Sequence, residues 1–180
     1  MKNSTPRPES PDIHPVSINK ALFLDRDGVI NYDRGHVFTN RDFIFNEEIF
    51  DICRGYIDRG FIVLVITNQA RIARGIYSEA DFLKLTRWMV GQFRERGIII
   101  SKVYYCPHHP DFTGPCSCRK PEPGMLLQAI SEFNLDIAEC ALYGDKESDI
   151  EAGRRAGIAE ANMHLYKAGE GYIRRQPATD

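Results

Sequence analysis

Short apolar runs alternate along this chain with longer segments whose apolar residues recur every three or four positions. The runs predict β-strands and the periodic segments predict helices. The predicted strands are residues 21–24, 61–66, 102–105, 140–143 and 161–166, the last at a sheet edge. The predicted helices are residues 45–59, a segment from the N-cap Ser78 to Gly97, a segment with Pro123 at its first position, and residues 148–156.

The order of these elements predicts the fold class. Strands separated by helices form right-handed βαβ units and a parallel sheet. Residues 61–66 are mostly β-branched and uncharged, which is typical of a strand buried on both faces. The only sizeable loops are residues 31–45 and 106–121. We therefore predict an α/β fold, a three-layer Rossmann-like parallel sheet flanked by helices, with no large cap domain.

Polar segments flank the predicted core. Residues 1–18 are rich in proline and polar residues and predict a disordered lead-in, and residues 167–180 predict a polar tail. The lead-in lacks the apolar stretch of a signal peptide, which favours a cytoplasmic protein whose five cysteines are thiols or metal ligands. Residues 19–166 are predicted to form one domain.

Composition narrows the possible partners. The 180-residue chain has a formal net charge of -2, which lacks the positive charge typical of nucleic-acid-binding domains. No apolar run approaches the roughly 20 residues that a membrane span requires. We expect a monomer that acts on a small molecule, with neither nucleic acid nor membrane as a partner.

Polar residues with catalytic potential are predicted to meet at one edge of the sheet, where the carboxyl ends of parallel strands converge. Taken singly, each also fits a turn, a helix cap or a solvated surface charge. Together they are an unusual set: Asp25 and Asp27 after the first strand, Thr67 and Asn68 after the second, Asp145 and Lys146 after the fourth, and Lys120 in a loop.

These residue types fit phosphoryl transfer. One carboxylate can attack phosphorus, and the second can protonate the departing oxygen and later take a proton from water. Two such acids about 4 Å apart repel each other by roughly 4 kcal/mol, which a divalent cation offsets. A threonine hydroxyl and a lysine ammonium can hold the phosphoryl oxygens. Mg²⁺ is therefore an expected cofactor.

The loop before Lys120 carries a second candidate metal site. Cys106, His108, Cys116 and Cys118 form a Cys₃His set that suits tetrahedral zinc, with His109 as the alternative imidazole. A disulfide or free thiols are the competing interpretation. Four protein ligands leave no position open for water, so we predict a structural Zn²⁺ that orders a zinc loop, residues 106–118.

The order of these motifs resembles that of the haloacid dehalogenase (HAD) superfamily of phosphatases. The matching segments are Asp25-x-Asp27-Gly28-Val29-Ile30-Asn31, Thr67-Asn68-Gln69, Lys120, and Gly144-Asp145-Lys146-x-x-Asp149. Within the superfamily the chain resembles the group of heptose-bisphosphate phosphatases and histidinol phosphatases. The resemblance extends from about residue 20 to residue 158.

The resemblance implies a role for each matching residue. Asp25 would be the nucleophile and Asp27 the general acid/base, and Thr67 and Lys120 would stabilise the phosphoryl group. Asp25, the backbone carbonyl of Asp27, and Asp145 would bind Mg²⁺. The implied substrate contacts are Asp33, Arg34, Gly35, His36, Asn68, Gln69, Ala70, Arg119 and Lys146. The family also has a zinc loop at the positions of Cys106, His108, Cys116 and Cys118.

The implied activity is removal of the 7-phosphate of D-glycero-D-manno-heptose 1,7-bisphosphate, in the biosynthesis of nucleotide-activated heptose for lipopolysaccharide core or S-layer glycans. A histidinol-phosphate phosphatase and a non-catalytic zinc-stabilised binding module are the alternatives. One departure stands out, because Ala70-Arg71 replaces the Ser-Gly that usually follows Thr-Asn-Gln in this family. This change bears on substrate identity and leaves the phosphoryl-transfer residues intact.

Overall fold

A computed structural model describes residues 19–172 of the chain. Its strands are β1 (Lys20–Leu24), β2 (Phe61–Asn68), β3 (Ile100–Cys106), β4 (Ala141–Gly144), β5 (Met163–Lys167) and β6 (Gly171–Tyr172). Its helices are α1 (Glu48–Ile57), α2 (Glu79–Glu95), α3 (Pro110–Thr113), α4 (Gly124–Phe133) and α5 (Glu147–Ala156). The expected disordered lead-in, residues 1–18, lies outside the described residues.

The strands form one sheet in the order β3-β2-β1-β4-β5-β6. The first five are parallel, and β6 pairs antiparallel with β5. This confirms the predicted α/β fold with a parallel sheet. The chain moves outward from β1 to β2 and β3, then returns to place β4 on the other side of β1. The carboxyl ends of β1 and β4 therefore flank the crevice where such sheets bind ligands.

Strand residues alternate between two apolar cores, one on each face of the sheet. Leu22 and Leu24 of β1 pack in the core covered by α1 and α2, whereas Ala21 and Phe23 pack in the core covered by α4 and α5. Burial on both faces explains the nearly unbroken apolar sequence of the central strands. The three-layer arrangement is thus confirmed, and no helix of residues 19–172 is long and apolar enough to cross a membrane.

Helix ends follow local sequence signals. Ser78 caps α2 through a reciprocal pair of hydrogen bonds with Asp81, as its position before Glu79 predicted. Gly157 ends α5 with a φ of 100°, a conformation that glycine adopts without strain. Pro123, predicted as the first residue of a helix, is instead the N-cap of α4, which begins one residue later at Gly124.

Several predicted boundaries were wrong. Helix α1 begins at Glu48 and not at Phe45, because the backbone of Phe45 bridges to Asn31 and its ring packs against Trp88. Strand β2 extends through Thr67 and Asn68, since both continue to pair with β3. Strand β5 is not an edge strand: β6 lies beside it, within the predicted polar tail of residues 167–180.

Candidate active site

The predicted catalytic residues converge where β1 and β4 end. Asp25 is the first residue after β1 and Asp145 the first after β4. The Asp25 backbone N–H donates to the carbonyl of Tyr143 at 2.9 Å, which keeps the two strand ends together. Asp149 follows in the first turn of α5, and carboxylate oxygens of Asp25, Asp145 and Asp149 all lie within 4.8 Å of one another.

Crowding of these carboxylates perturbs their acidity. Burial raises the pKa of Asp25 to about 7; Lys120 opposes this shift, and the charges of Asp149 and Asp145 add to it. Burial likewise raises the pKa of Asp145 against the opposing charge of Lys146. A bound cation would offset the repulsion among these carboxylates, so the site favours a cation.

Lys120 is the buried cation of this cluster. Its Nζ lies 2.8 Å from Oδ1 of Asp25, 2.6 Å from Oδ1 of Asp149 and 2.9 Å from the carbonyl oxygen of Ile66. Burial disfavours its charge, but Asp149 and Asp25 more than compensate and raise the pKa of Lys120. Lys120 thus keeps its proton and fixes the position of the Asp25 carboxylate.

Asp149 was present in the matching motif, but the sequence analysis assigned it no role. Besides its contact with Lys120, its Oδ2 accepts from the backbone N–H of Lys146 at 3.0 Å, which caps α5. The motif spacing was a usable signal, because α5 begins two residues after Asp145 and its first turn brings Asp149 back to the end of β4.

The donor set fits a magnesium ion. It consists of carboxylate oxygens, the ligands that this cation prefers. Oδ1 of Asp145 is buried and has no hydrogen-bond partner among the described residues, whereas both oxygens of Asp149 are engaged. Gly28 makes room for this carboxylate, since a Cβ at Gly28 would lie 2.3 Å from Oδ2 of Asp145.

Asp27 is held by a separate set of buried groups. Arg26 donates to both of its oxygens, at 2.8 and 2.7 Å from Nη2, and Asn31 and Gln69 donate at 3.1 and 3.0 Å. Burial alone would raise the pKa of Asp27, but Arg26, Asn31 and Gln69 lower it. The carboxylate is thus charged and fixed in position. Sequence reasoning missed Arg26, whose charge would have predicted a surface residue.

Gln69 connects Asp27 to Thr67. Its Nε2 donates to Oγ1 of Thr67 at 2.8 Å as well as to Asp27, and its Oε1 accepts from the hydroxyl of Tyr77. Because the Thr67 oxygen accepts from Gln69, its own proton remains available to another acceptor. Tyr77, absent from the sequence-based predictions, is buried and orients the Gln69 amide.

A cavity of about 450 Å³ opens above Asp25. Nine of the predicted residues line it: Asp25, Asp27, Asp33, Thr67, Asn68, Ala70, Arg119, Lys120 and Lys146. Arg71, Arg74, His109 and Asp149 also line it. The Lys146 ammonium lies 3.3 Å from Asp145 and 3.9 Å from Asp33.

Four predicted substrate contacts are not in the cavity wall. Gln69 is buried and reaches it only through Thr67 and Asp27. Arg34 lines an adjoining cavity with Gly28 and Asp145. Gly35 and His36 line neither of these two cavities, and His36 is exposed. Of the segment from Asp33 to His36, only Asp33 lines the cavity above Asp25.

The second candidate metal site lies beside the cavity. The Sγ atoms of Cys106, Cys116 and Cys118 and Nδ1 of His108 lie within 4.8 Å of one another. The Cys106 and Cys116 sulfurs are 3.6 Å apart, and His108 Nδ1 is 3.3 Å from the Cys118 sulfur. Zinc ligands about 2.3 Å from the metal have comparable separations, so the set fits zinc. None of the five cysteines forms a disulfide, and His109 instead contacts Asp111.

The predicted zinc loop, residues 106–118, is hydrogen-bonded to the end of β2. The backbone N–H of Gln69 donates to the carbonyl of Cys106 at 2.8 Å. The Asn68 side chain makes two hydrogen bonds to the backbone of Lys120, at 3.0 and 3.1 Å. A short helix that was not predicted, α3, lies within the loop, with Pro110 at its start. The loop thereby positions Arg119 and Lys120 at the cavity.

Comparisons with known proteins agree with this geometry. A family model described as HAD-hydrolase-like matches residues 117–169. A D-glycero-beta-D-manno-heptose-1,7-bisphosphate 7-phosphatase of Yersinia pestis is 46% identical over 143 residues, 77% of this chain and 76% of that protein. A D-glycero-alpha-D-manno-heptose-1,7-bisphosphate 7-phosphatase of Burkholderia mallei is 48% identical over 145 residues, 78% of this chain and 77% of that protein.

A solved structure extends the comparison. The D,D-heptose 1.7-bisphosphate phosphatase from B. bronchiseptica, complexed with magnesium and phosphate, superposes with a TM-score of 0.72 and 30% sequence identity. The match covers 78% of each chain. From the identity and coverage of these relatives, the chain belongs to the HAD-like hydrolases, in the family of the heptose-1,7-bisphosphate 7-phosphatases.

Proposed function

We propose that this protein removes the 7-phosphate of D-glycero-D-manno-heptose 1,7-bisphosphate through an aspartyl-phosphate intermediate. The observation that supports this proposal is the buried Asp25 carboxylate, held by Lys120 at the floor of a cavity lined with cations. Two relatives with this named activity are 46% and 48% identical over 143 and 145 residues of the chain.

In the first step an oxygen of Asp25 attacks phosphorus, an O–P bond to Asp25 forms, and the bond to the sugar oxygen breaks. Lys120 keeps the attacking carboxylate oriented through its 2.8 Å contact with Oδ1. The free proton of the Thr67 hydroxyl can donate to a phosphoryl oxygen as negative charge redistributes. These roles of Asp25, Thr67 and Lys120 follow from their chemistry and placement.

Asp27 would move the protons. A bound phosphate raises the pKa of a neighbouring carboxyl, so Asp27 can carry a proton in the substrate complex and deliver it to the departing sugar oxygen. In the second step Asp27 takes a proton from water, the water oxygen bonds to phosphorus, and the bond to Asp25 breaks. Inorganic phosphate and the Asp25 carboxylate result.

Asp25, Asp145 and the backbone carbonyl of Asp27 would hold Mg²⁺, and Asp149 would keep Lys120 beside them. When bound, the ion supplies positive charge that reduces repulsion between the carboxylate nucleophile and the phosphate. Cys106, His108, Cys116 and Cys118 would hold a structural Zn²⁺, leaving no position open for a reactant.

The zinc proposal predicts the composition of the purified protein. We expect about one zinc per chain, and we expect Cys118→Ser to lower zinc affinity by at least about 100-fold, because a ligand is lost. Phosphatase activity should fall too, since Arg119 and Lys120 follow directly. Metal analysis measures the zinc, and Cys53→Ala, which alters a buried cysteine in α1, is the control. Wild-type protein purified without chelator and free of zinc would contradict the proposal.

A phosphate-release assay tests the proposed function. Both anomers of the heptose bisphosphate and histidinol phosphate are compared, with and without Mg²⁺. We expect kcat/KM for at least one heptose anomer to exceed that for histidinol phosphate, with activity dependent on Mg²⁺. A higher kcat/KM for histidinol phosphate would favour that alternative, and absence of turnover on every substrate would favour a non-catalytic module.

A further inference from the structure

Three arginines of the cavity wall have no acidic partner among the residues that the structure describes. Arg71 and Arg119 are half-buried and Arg74 is exposed, whereas Asp25 and Lys120 at the floor are buried. Within residues 19–172, none of these three arginines forms an ion pair with a carboxylate. The mouth of the cavity thus carries positive charge that no carboxylate of the described residues pairs with.

Local backbone structure brings these side chains together. The chain after β2 forms helix-like turns, in which the N–H of Arg74 donates to the carbonyl of Ala70 at 3.3 Å. Residues three apart in such a turn lie on one face, so Arg71 and Arg74 face the same way. Arg119 directly follows the zinc loop, and its Nη1 donates to the carbonyl of His108 in that loop at 3.3 Å. A backbone hydrogen bond from Ala73 to Pro107 joins the two segments.

The guanidinium groups are oriented by their neighbours. Arg71 contacts the hydroxyl of Tyr77, the same hydroxyl that donates to Gln69. The Arg74 guanidinium lies 5.8 Å from the centre of the Phe112 ring. Arg71 is thus connected through Tyr77 and Gln69 to Thr67 and Asp27. Position 71 is usually glycine in the family that the chain resembles.

We propose that Arg71, together with Arg74 and Arg119, binds the second phosphate of a bisphosphorylated sugar while the first reacts at Asp25. This subsite rests on the proposed function, because it requires a substrate with two phosphates. Lys120 and Thr67 serve the reacting phosphate, so the cations at the mouth remain for the other. Guanidinium groups suit this task because their paired N–H groups match two phosphate oxygens. The same charges disfavour histidinol phosphate, which carries an ammonium group.

The test compares two substrates that differ only in the second phosphate: the heptose 1,7-bisphosphate and the same heptose with phosphate at C7 alone. We expect Arg71→Gln and Arg74→Gln each to lower kcat/KM for the bisphosphate by about 10-fold or more, mainly through KM, since a charged hydrogen bond is lost. For the 7-monophosphate we expect a change of less than about 3-fold, because that substrate never contacts the subsite.

Arg87→Gln is the matched control, since Arg87 is exposed on the surface of α2 away from the cavity. Equal losses on both substrates, or no loss on either, would overturn the subsite while leaving the proposed function intact. Wild-type enzyme that hydrolyses the monophosphate but not the bisphosphate would overturn both. Thermal denaturation of each variant separates a binding defect from a folding defect.

Discussion

The Asp25→Asn variant is expected to lose at least about 10⁴-fold in kcat while remaining folded, because the amide cannot form the bond to phosphorus. Its stability should not fall. Burial and two neighbouring carboxylates disfavour the Asp25 charge, and Lys120 keeps Asp149 as a partner. In metal-free protein we therefore expect an unfolding temperature equal to or above that of the wild type. Phosphate release and thermal denaturation measure the two effects.

Asp58→Asn, at an exposed position after α1, is the control for the same chemical change. Acid quenching of a single turnover gives an independent measurement. If Asp25 is the nucleophile, an O–P bond to Asp25 forms before water attacks phosphorus, so the quenched protein carries phosphate on Asp25. Trapping of phosphate on Asp25 would support the intermediate, and undiminished turnover by Asp25→Asn would rule it out.

Lys120→Met is expected to reduce both activity and stability. It leaves Asp25 and Asp149 buried without their shared cation, and breaking such a pair costs about 3–5 kcal/mol of unfolding free energy. The loss of a charged donor to the phosphoryl group should lower kcat by at least about 10²–10³-fold. Denaturant titration and steady-state kinetics measure the two quantities separately.

The double variant Lys120→Met/Asp149→Asn distinguishes the two effects. Removing the second charge should recover roughly 1–3 kcal/mol of the stability lost in Lys120→Met, because the residues are in direct contact. Activity should not recover, since the phosphoryl group still lacks its donor. Lys120→Met as stable as the wild type, or a double variant with restored turnover, would contradict these assignments.

Much of this site could be predicted because it depends on local sequence. Asp25 and Asp145 were expected at strand ends, and they lie at the ends of β1 and β4 because runs of apolar residues define those strands. Ser78 and Gly157 mark helix ends by chemistry that requires only a few neighbouring residues. The cysteine cluster was likewise visible as ligand types close together in the chain.

What could not be predicted depends on contacts between distant segments. Arg26 is charged and would be expected at the surface, yet its burial is compensated by Asp27 and by the carbonyl of Val37, at 3.0 Å. Tyr77 acquires its connection to Asp27 only when the chain after β2 folds back on Gln69. Strand β6, which pairs with β5, could not be predicted because two residues are too few to show a periodic pattern.

The attachment of the zinc loop to the end of β2 affects how substrate preference can evolve. The backbone N–H groups of Gln69 and Ala73 donate to the carbonyls of Cys106 and Pro107. These hydrogen bonds fix the segment after β2 and the zinc loop relative to each other at the cavity entrance. An exchange of one side chain at this entrance, such as the half-buried arginine at position 71, alters the entrance while Asp25 and Lys120 keep their own contact. New preferences can therefore arise here by single substitutions, with the hydrolytic chemistry inherited unchanged.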